Sequence, residues 1–255
     1  MEAENITGEL NEDLFVQELR YKKFKNIRYS LQLFLKDLYG DIDEYDLVMC
    51  WKNDMKQKYD ILIKIGDITK RISIKKGSKN SVHSEPISEF THFLIENGLP
   101  KEQVIEFLKY HYADGTTNGT GENRISCEEY KKSHKDEMDK INYFFNTDDL
   151  LMKAVDRFIV YGRNSKYPID AILYGVPNDF IWLKRESIYK VVLDKKNSNV
   201  DSIHFGPLVY QTMDKNLNYN EKYESKRFIC QIKWFSLFDD IIEITDKSMY
   251  DLISA

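Results

Sequence analysis

The chain of 255 residues is poor in the residues that punctuate or staple a fold, with three cysteines, five prolines and 11 glycines. So little Pro and Gly excludes a linker-rich or low-complexity protein. The cysteines, Cys50, Cys127 and Cys230, are odd in number and far apart. That excludes a disulfide framework and a zinc cluster and fits a reducing cytoplasm. No uncharged apolar run approaches the roughly 18 residues of a membrane span, and the acidic opening MEAENITGELNEDL reads as no secretory leader. Strong charge of one sign is missing too: 37 Lys and Arg stand against 42 Asp and Glu, a net −5 that gives no global attraction to nucleic acid. Walker, Rossmann, GxSxG and HExxH signatures are absent.

What is present is a well-stocked core. Hydrophobic residues make up 42%, with 17 Tyr, 14 Phe and 3 Trp, enough for one large domain or two small ones. Apolar spacing predicts helices over 9–23, over 30–39 behind Ser30 as N-cap, over 86–97 opening at Pro86, and over 101–112. DLVMCWK has the texture of a buried strand. KYDILIKIGDITKRISIKK alternates around Gly66-Asp67 as a hairpin does. ADGTTNGTGENR (113–124) is a loop, followed by helices over 127–145 and 147–161. Beyond 167 the runs AILYG, FIWL, YKVVL, IHFGPLVYQ and RFICQIKWF read as strands, with Gly206-Pro207 as a turn.

The chemistry concentrates in YDILIKIGDITKRISIKKGSKNSVHSE (59–85). Asp60 opens one strand of the hairpin. Ser73, Lys75 and Gly77 alternate onto one face of the next. A carboxylate and an ammonium on neighbouring strands are the parts of metal-assisted phosphodiester cleavage: the first holds Mg2+, the second meets charge growing on the phosphate. The simpler account is a hairpin whose surface Asp and Lys never meet.

Asp60, the hairpin and Ile72-Ser73-Ile74-Lys75-Lys76-Gly77 resemble the core of the PD-(D/E)XK nuclease superfamily, to which many restriction endonucleases belong. Gly8-Glu9-Leu10-Asn11-Glu12 resembles the Gly-x-x-x-Glu entry of the preceding helix in that superfamily. The resemblance spans about residues 8–97. It implies an α/β fold, a restriction endonuclease-like mixed β-sheet core flanked by helices, followed by a mixed α+β C-terminal part. It implies catalysis by Asp60, Lys75, Glu12 and Glu85, with Mg2+ on Asp60, Glu85 and Glu12. One position departs: Ser73 stands where the superfamily carries Asp or Glu, and serine is a poor ligand for Mg2+. Either the second carboxylate has moved, with Glu85 as the local replacement, or the domain is catalytically inactive. A competing QxK-type site is Gln231-Ile232-Lys233, whose one preceding acid is Asp201.

Charge is unevenly spread. Residues 64–79 hold six basic side chains against Asp67 alone, and 222–233 hold four against Glu224. Counterion release at such clusters drives nucleic-acid binding, although basic runs on strands also serve as plain solvated faces. Candidate DNA contacts are Lys76, Lys79, Asn80, Ser81, His83, Arg185, Lys195, Lys196, Arg227 and Lys233, with Gln211, Asn216 and Asn218 as amides able to read adenine. Ser84 shares the 80–85 stretch, with helix capping as its simpler role. The expected organisation is a nuclease-like core over 1–112, a helical insert or connector over 113–162, and a β-rich, DNA-recognising part over 163–255. The expected function is Mg2+-dependent hydrolysis of double-stranded DNA by a cytoplasmic homodimer. An inactive nucleic-acid-binding module is the alternative, and a protein–protein module of phage defence or counter-defence is a third that no motif supports.

Overall fold

A computed structural model describes residues 7–55, 57–77, 80–121, 124–163, 165–196, 202–212 and 226–253, the stretch 246–253 as backbone only. Its helices are α1 (Gly8–Leu19), α2 (Tyr29–Tyr39), α3 (Ile87–Glu96), α4 (Lys101–Tyr112), α5 (Cys127–Ser133), α6 (Lys135–Phe145), α7 (Asp148–Val155), α8 (Arg185–Asp194) and α9 (Leu237–Ile253). Its strands are β1 (Lys22–Lys23), β2 (Leu47–Lys52), β3 (Ile61–Ile65), β4 (Ile68–Lys75), β5 (Ser81–Pro86), β6 (Ala171–Val176), β7 (Asp179–Lys184), β8 (His204–Phe205), β9 (Leu208–Gln211) and β10 (Ile229–Lys233). They form two compact units: Met1–Asn80, Val155–Val191 and Ser236–Ala255 make one, Ser81–Ala154 and Val192–Phe235 the other. These boundaries cut across the three consecutive segments expected from sequence.

The first unit is built on a six-stranded sheet in the order β1-β2-β3-β4-β6-β7, antiparallel except where β4 runs parallel to β6. The expected hairpin is there. Ile65 pairs with Ile68 across Gly66-Asp67, and Gly66 takes φ 56°, the left-handed value that a turn joining right-twisted strands needs. The odd residues of β3, Ile61, Ile63 and Ile65, are buried with Ile72 and Ile74 of β4. Against that face pack Phe15 and Leu19 of α1 and Leu31, Phe34 and Leu35 of α2, at about 1.5–3 kcal/mol per fully buried side chain. The remaining parity of β4 puts Ser73 and Lys75 on the opposite face.

The second unit is organised on an antiparallel sheet, β5-β10-β9-β8. Rings cluster on one face: Phe90 lies 5.5 Å from Phe107 and 5.2 Å from Tyr210, and Phe145 stacks on Phe205 at 4.3 Å. The Gly/Thr/Asn-rich loop after α4 is ordered from inside. The buried Asp114 carboxylate accepts hydrogen bonds from Thr116 N, Thr116 Oγ1 and Gly121 N.

Several local expectations need correction. YKVVL is helix α8, because Ile188, Val191 and Val192 recur at helical spacing and are the buried residues; their β-branched chemistry disguises the period. The first helix ends at Leu19, and the chain turns at Tyr21, φ 56°, into β1. Helix α2 starts one residue earlier than expected, with Arg28 at its N-cap, so Ser30 does not cap it. Ser84 lies in β5 and donates to the Cys230 carbonyl at 3.2 Å, so it caps no helix either. Pro86 precedes the first turn of α3 as its N-cap.

Candidate active site

Asp60 sits one residue before β3, its amide donating to the Ile72 carbonyl at 2.8 Å and its carbonyl accepting from Asn53 N at 2.9 Å. The backbone therefore fixes where its carboxylate points. Oδ2 accepts from the Ile74 amide at 2.5 Å and from Ser73 Oγ at 3.1 Å, and lies 3.6 Å from Lys75 Nζ. Lys75 Nζ also donates to the Ile74 carbonyl at 3.0 Å. All three contacts to Asp60 use Oδ2, and among the described residues Oδ1 has no partner. Asp60 and Lys75 are both half-buried, with side chains 25% and 21% exposed, so their pairing is shielded more than that of a surface ion pair.

Glu12 is carried on α1, whose start is fixed by Thr7 Oγ1 accepting from the Leu10 amide at 3.2 Å. Burial, and next the Asp60 charge, push the Glu12 carboxyl above its ordinary range; Lys52 and Lys75 pull it back. Glu12 and Asp60 thus repel one another, which is the electrostatic condition a cation relieves. Lys52, at the end of β2, already meets this helix face: its Nζ is 3.4 Å from Glu12 Oε2 and 3.1 Å from Asp13 Oδ1. Asn11, fully buried, donates to the Gly175 carbonyl at 2.8 Å, while its Oδ1 has no hydrogen-bond partner among the described residues. Only glycine fits at 175, where φ is 126° and a Cβ would lie 2.3 Å from the Asp179 carbonyl oxygen. Sequence reasoning singles out neither Lys52 nor Asn11. Asn11 is the immediate neighbour of Glu12, and Lys52 is the polar end of an apolar strand; those are the signals that could have found them.

The first unit therefore brings Glu12, Asp60, Ser73 and Lys75 together. Glu85 belongs to the second unit, on β5, where its buried carboxylate lies 3.3 Å from His83 Nε2. Asn80 is buried at the end of the first unit's opening segment, and Ser81 Oγ accepts from Gln231 Nε2 at 2.8 Å. Lys76 lines a hollow of about 600 Å³ with Tyr174, Phe180 and Phe238. Arg185 is 3.7 Å from Glu186, and Lys196, just after Lys195, is 2.7 Å from Asp148. Arg227 points inward, its side chain 11% exposed and its guanidinium 3.1 Å from the Asp114 carboxylate; that contact makes it a clamp on the 114–121 loop. Gln231, Ile232 and Lys233 lie in β10, with Lys233 Nζ 5.6 Å from the Phe235 ring. Lys79, Asp201, Asn216 and Asn218 lie outside the described residues. Among the described residues no three Asp, Glu, His or Cys side chains converge as a metal cluster, and no helix is long and apolar enough to cross a membrane.

The fold that carries this site is restriction endonuclease-like. It is shown by similarity to the solved structure of the restriction endonuclease MspI in complex with its cognate DNA, at a TM-score of 0.54 and 14% identity, over 89% of this chain and 88% of that one. No protein-family model matches the chain, and no curated protein does.

Proposed function

We propose that the protein is a Mg2+-dependent endonuclease that hydrolyses double-stranded DNA at the Asp60–Lys75 site. The carrying observation is the contact of Asp60 Oδ2 with Ser73 Oγ, the Ile74 amide and Lys75 Nζ. Support comes from the restriction endonuclease-like fold, whose MspI example was solved with DNA.

The residues fit a hard divalent cation. Among the described residues Asp60 Oδ1 has no partner, and Glu12, whose carboxyl burial and Asp60 hold above its ordinary range, offers a second oxygen donor that a cation would favour in its ionised form. When bound by these two, Mg2+ supplies Lewis-acid polarisation of the phosphate and a water nucleophile at neutral pH. The chain's own groups do the rest. Ser73 Oγ and the Ile74 amide lock Oδ2, so that Oδ1 is presented in one orientation. Lys75, aimed by the Ile74 carbonyl, presents its ammonium to charge developing on the scissile phosphate. Cleavage of both strands calls for two such sites, hence a homodimer, working in the cytoplasm.

Purified protein should nick supercoiled plasmid with Mg2+ and not with EDTA. Asp60→Ala and Lys75→Ala should each lose about 10²-fold or more in rate while keeping the wild-type circular dichroism. Unchanged cleavage by either variant overturns the assignment. Ser73, together with the lack of a three-residue metal cluster among the described residues, favours one alternative, an inactive DNA-binding module. Salt-sensitive duplex binding without any hydrolysis by the wild type would select it.

A further inference from the structure

A second feature lies wholly within the other compact unit: a groove of about 870 Å³ between the α5–α6 corner and the outer face of β9 and β10. Lys131 and Lys132 close α5 and Lys135 opens α6, so three ammonium groups crowd into one corner of the chain. Lys132 and Lys135 are about three-quarters exposed, each beside one carboxylate of its own helix, Glu128 and Asp139. Such exposed i,i+4 pairs are weak and easily exchanged for another anion. Lys131 forms no ion pair among the described residues. Lys226 and Lys233 also line it, in a chain whose net charge is −5.

The floor is polar by strand parity. In β10 Cys230 and Ile232 are buried, which turns Gln231 and Lys233 outward; in β9 Tyr210 is buried, which turns Gln211 outward. Gln211 and Gln231 are direct cross-strand partners and share this face of the sheet, where Gln231 Nε2 donates to Ser81 Oγ at 2.8 Å. Cations along a rim and paired amides on a floor match the two halves of DNA recognition, phosphate positioning and base-edge hydrogen bonding.

We propose that this groove is a DNA contact site separate from the Asp60–Lys75 centre, with Lys131, Lys132 and Lys135 on the phosphodiester backbone and Gln211 and Gln231 at the base edges. The proposal rests on the DNA reading given above. Its test uses binding alone, in EDTA, by fluorescence anisotropy of a labelled duplex over a salt series. The full-length triple variant Lys131→Gln, Lys132→Gln, Lys135→Gln should bind about tenfold or more weakly, and the slope of log K against log salt should flatten by about 2–3, close to 0.9 for each phosphate no longer neutralised. The replaced side chains are on the surface, and an unchanged melting temperature of the triple variant shows that its fold is kept. If the wild type binds duplex and the triple variant matches it in affinity and slope, the groove assignment falls while the nuclease reading stands. If the wild type binds no DNA, or prefers RNA of the same sequence, both fall.

Discussion

Ser73 occupies the position at which the (D/E)-X-K motif that this sequence resembles carries a carboxylate, and its hydroxyl does something a carboxylate cannot: it donates a hydrogen bond to Asp60. An anion there, 2% exposed and beside Asp60, would face like charge in a partly desolvated site, so the two could be held together only by a cation. Ser73→Asp should therefore destabilise the protein by about 3 kcal/mol in EDTA. It should recover part of that loss on adding Mg2+, because a ligand bound by the folded state stabilises it by mass action. Paired thermal melts with and without Mg2+ measure this; a variant as stable as wild type in EDTA, with no response to Mg2+, would show that residue 73 does not share a site with Asp60. The same neighbourhood explains what can be read from sequence. Asp60, Ser73 and Lys75 are legible because a hairpin with a two-residue turn fixes their register locally. Lys52 and Asn11 are not, because they matter only once α1 lies against β2 and β6, an arrangement no local pattern specifies.

At the scale of elements, α4 and β9 are joined by one histidine. His111 is 1% exposed; its Nδ1 accepts from Tyr210 Oη at 2.6 Å, and its Nε2 donates to the Arg227 carbonyl at 2.7 Å. This arrangement needs the neutral ring, and burial drives its pKa down to about 4. The ordinary value is about 6.5, so between pH 6.5 and 4 the unfolded chain binds a proton that the folded one does not. Stability must then fall as pH drops through that window, by about 3 kcal/mol in all from this residue, and above pH 6.5 the residue adds no pH dependence. Urea unfolding at pH 7 and pH 5 should show the loss in wild type and a smaller one in His111→Gln; equal losses would remove His111 as its origin. Elements with a clear period, α3, α4 and the β3–β4 hairpin, are legible from the sequence. Helix α8 is not, since Val and Ile at helical spacing carry strand-like chemistry. Arg227 reads as a DNA contact for a different reason: its partner, Asp114, lies far away in sequence, and only folding reveals that its charge is already satisfied.

For the whole molecule, the consequential departure from the sequence picture is how the chain is shared between units. It passes from one to the other four times, because each sheet is completed by strands from distant sequence. Ser73 of β4 pairs with Ile172 of β6, and Cys230 of β10 pairs with Glu85 of β5. Hydrophobic periodicity identifies a strand but carries no address for its partner, so consecutive segments look like domains. The segment 1–112, which contains the whole nuclease-like motif, makes the point testable. Cut out alone, it would keep β1 to β4 but expose the β4 edge that β6 covers, and it would keep β5 without β10. Ile72 and Ile74 would lose Ala171 and Leu173 from the core they share. Open, apolar strand edges of this kind favour association over folding. The isolated segment 1–112 should therefore show no cooperative thermal or urea transition and should aggregate at concentrations where the full chain stays monodisperse. A sharp two-state melt from that segment would mean that the β1–β4 sheet with α1 and α2 is self-sufficient, and that the parallel β4–β6 junction is an accessory to the site instead of part of its foundation.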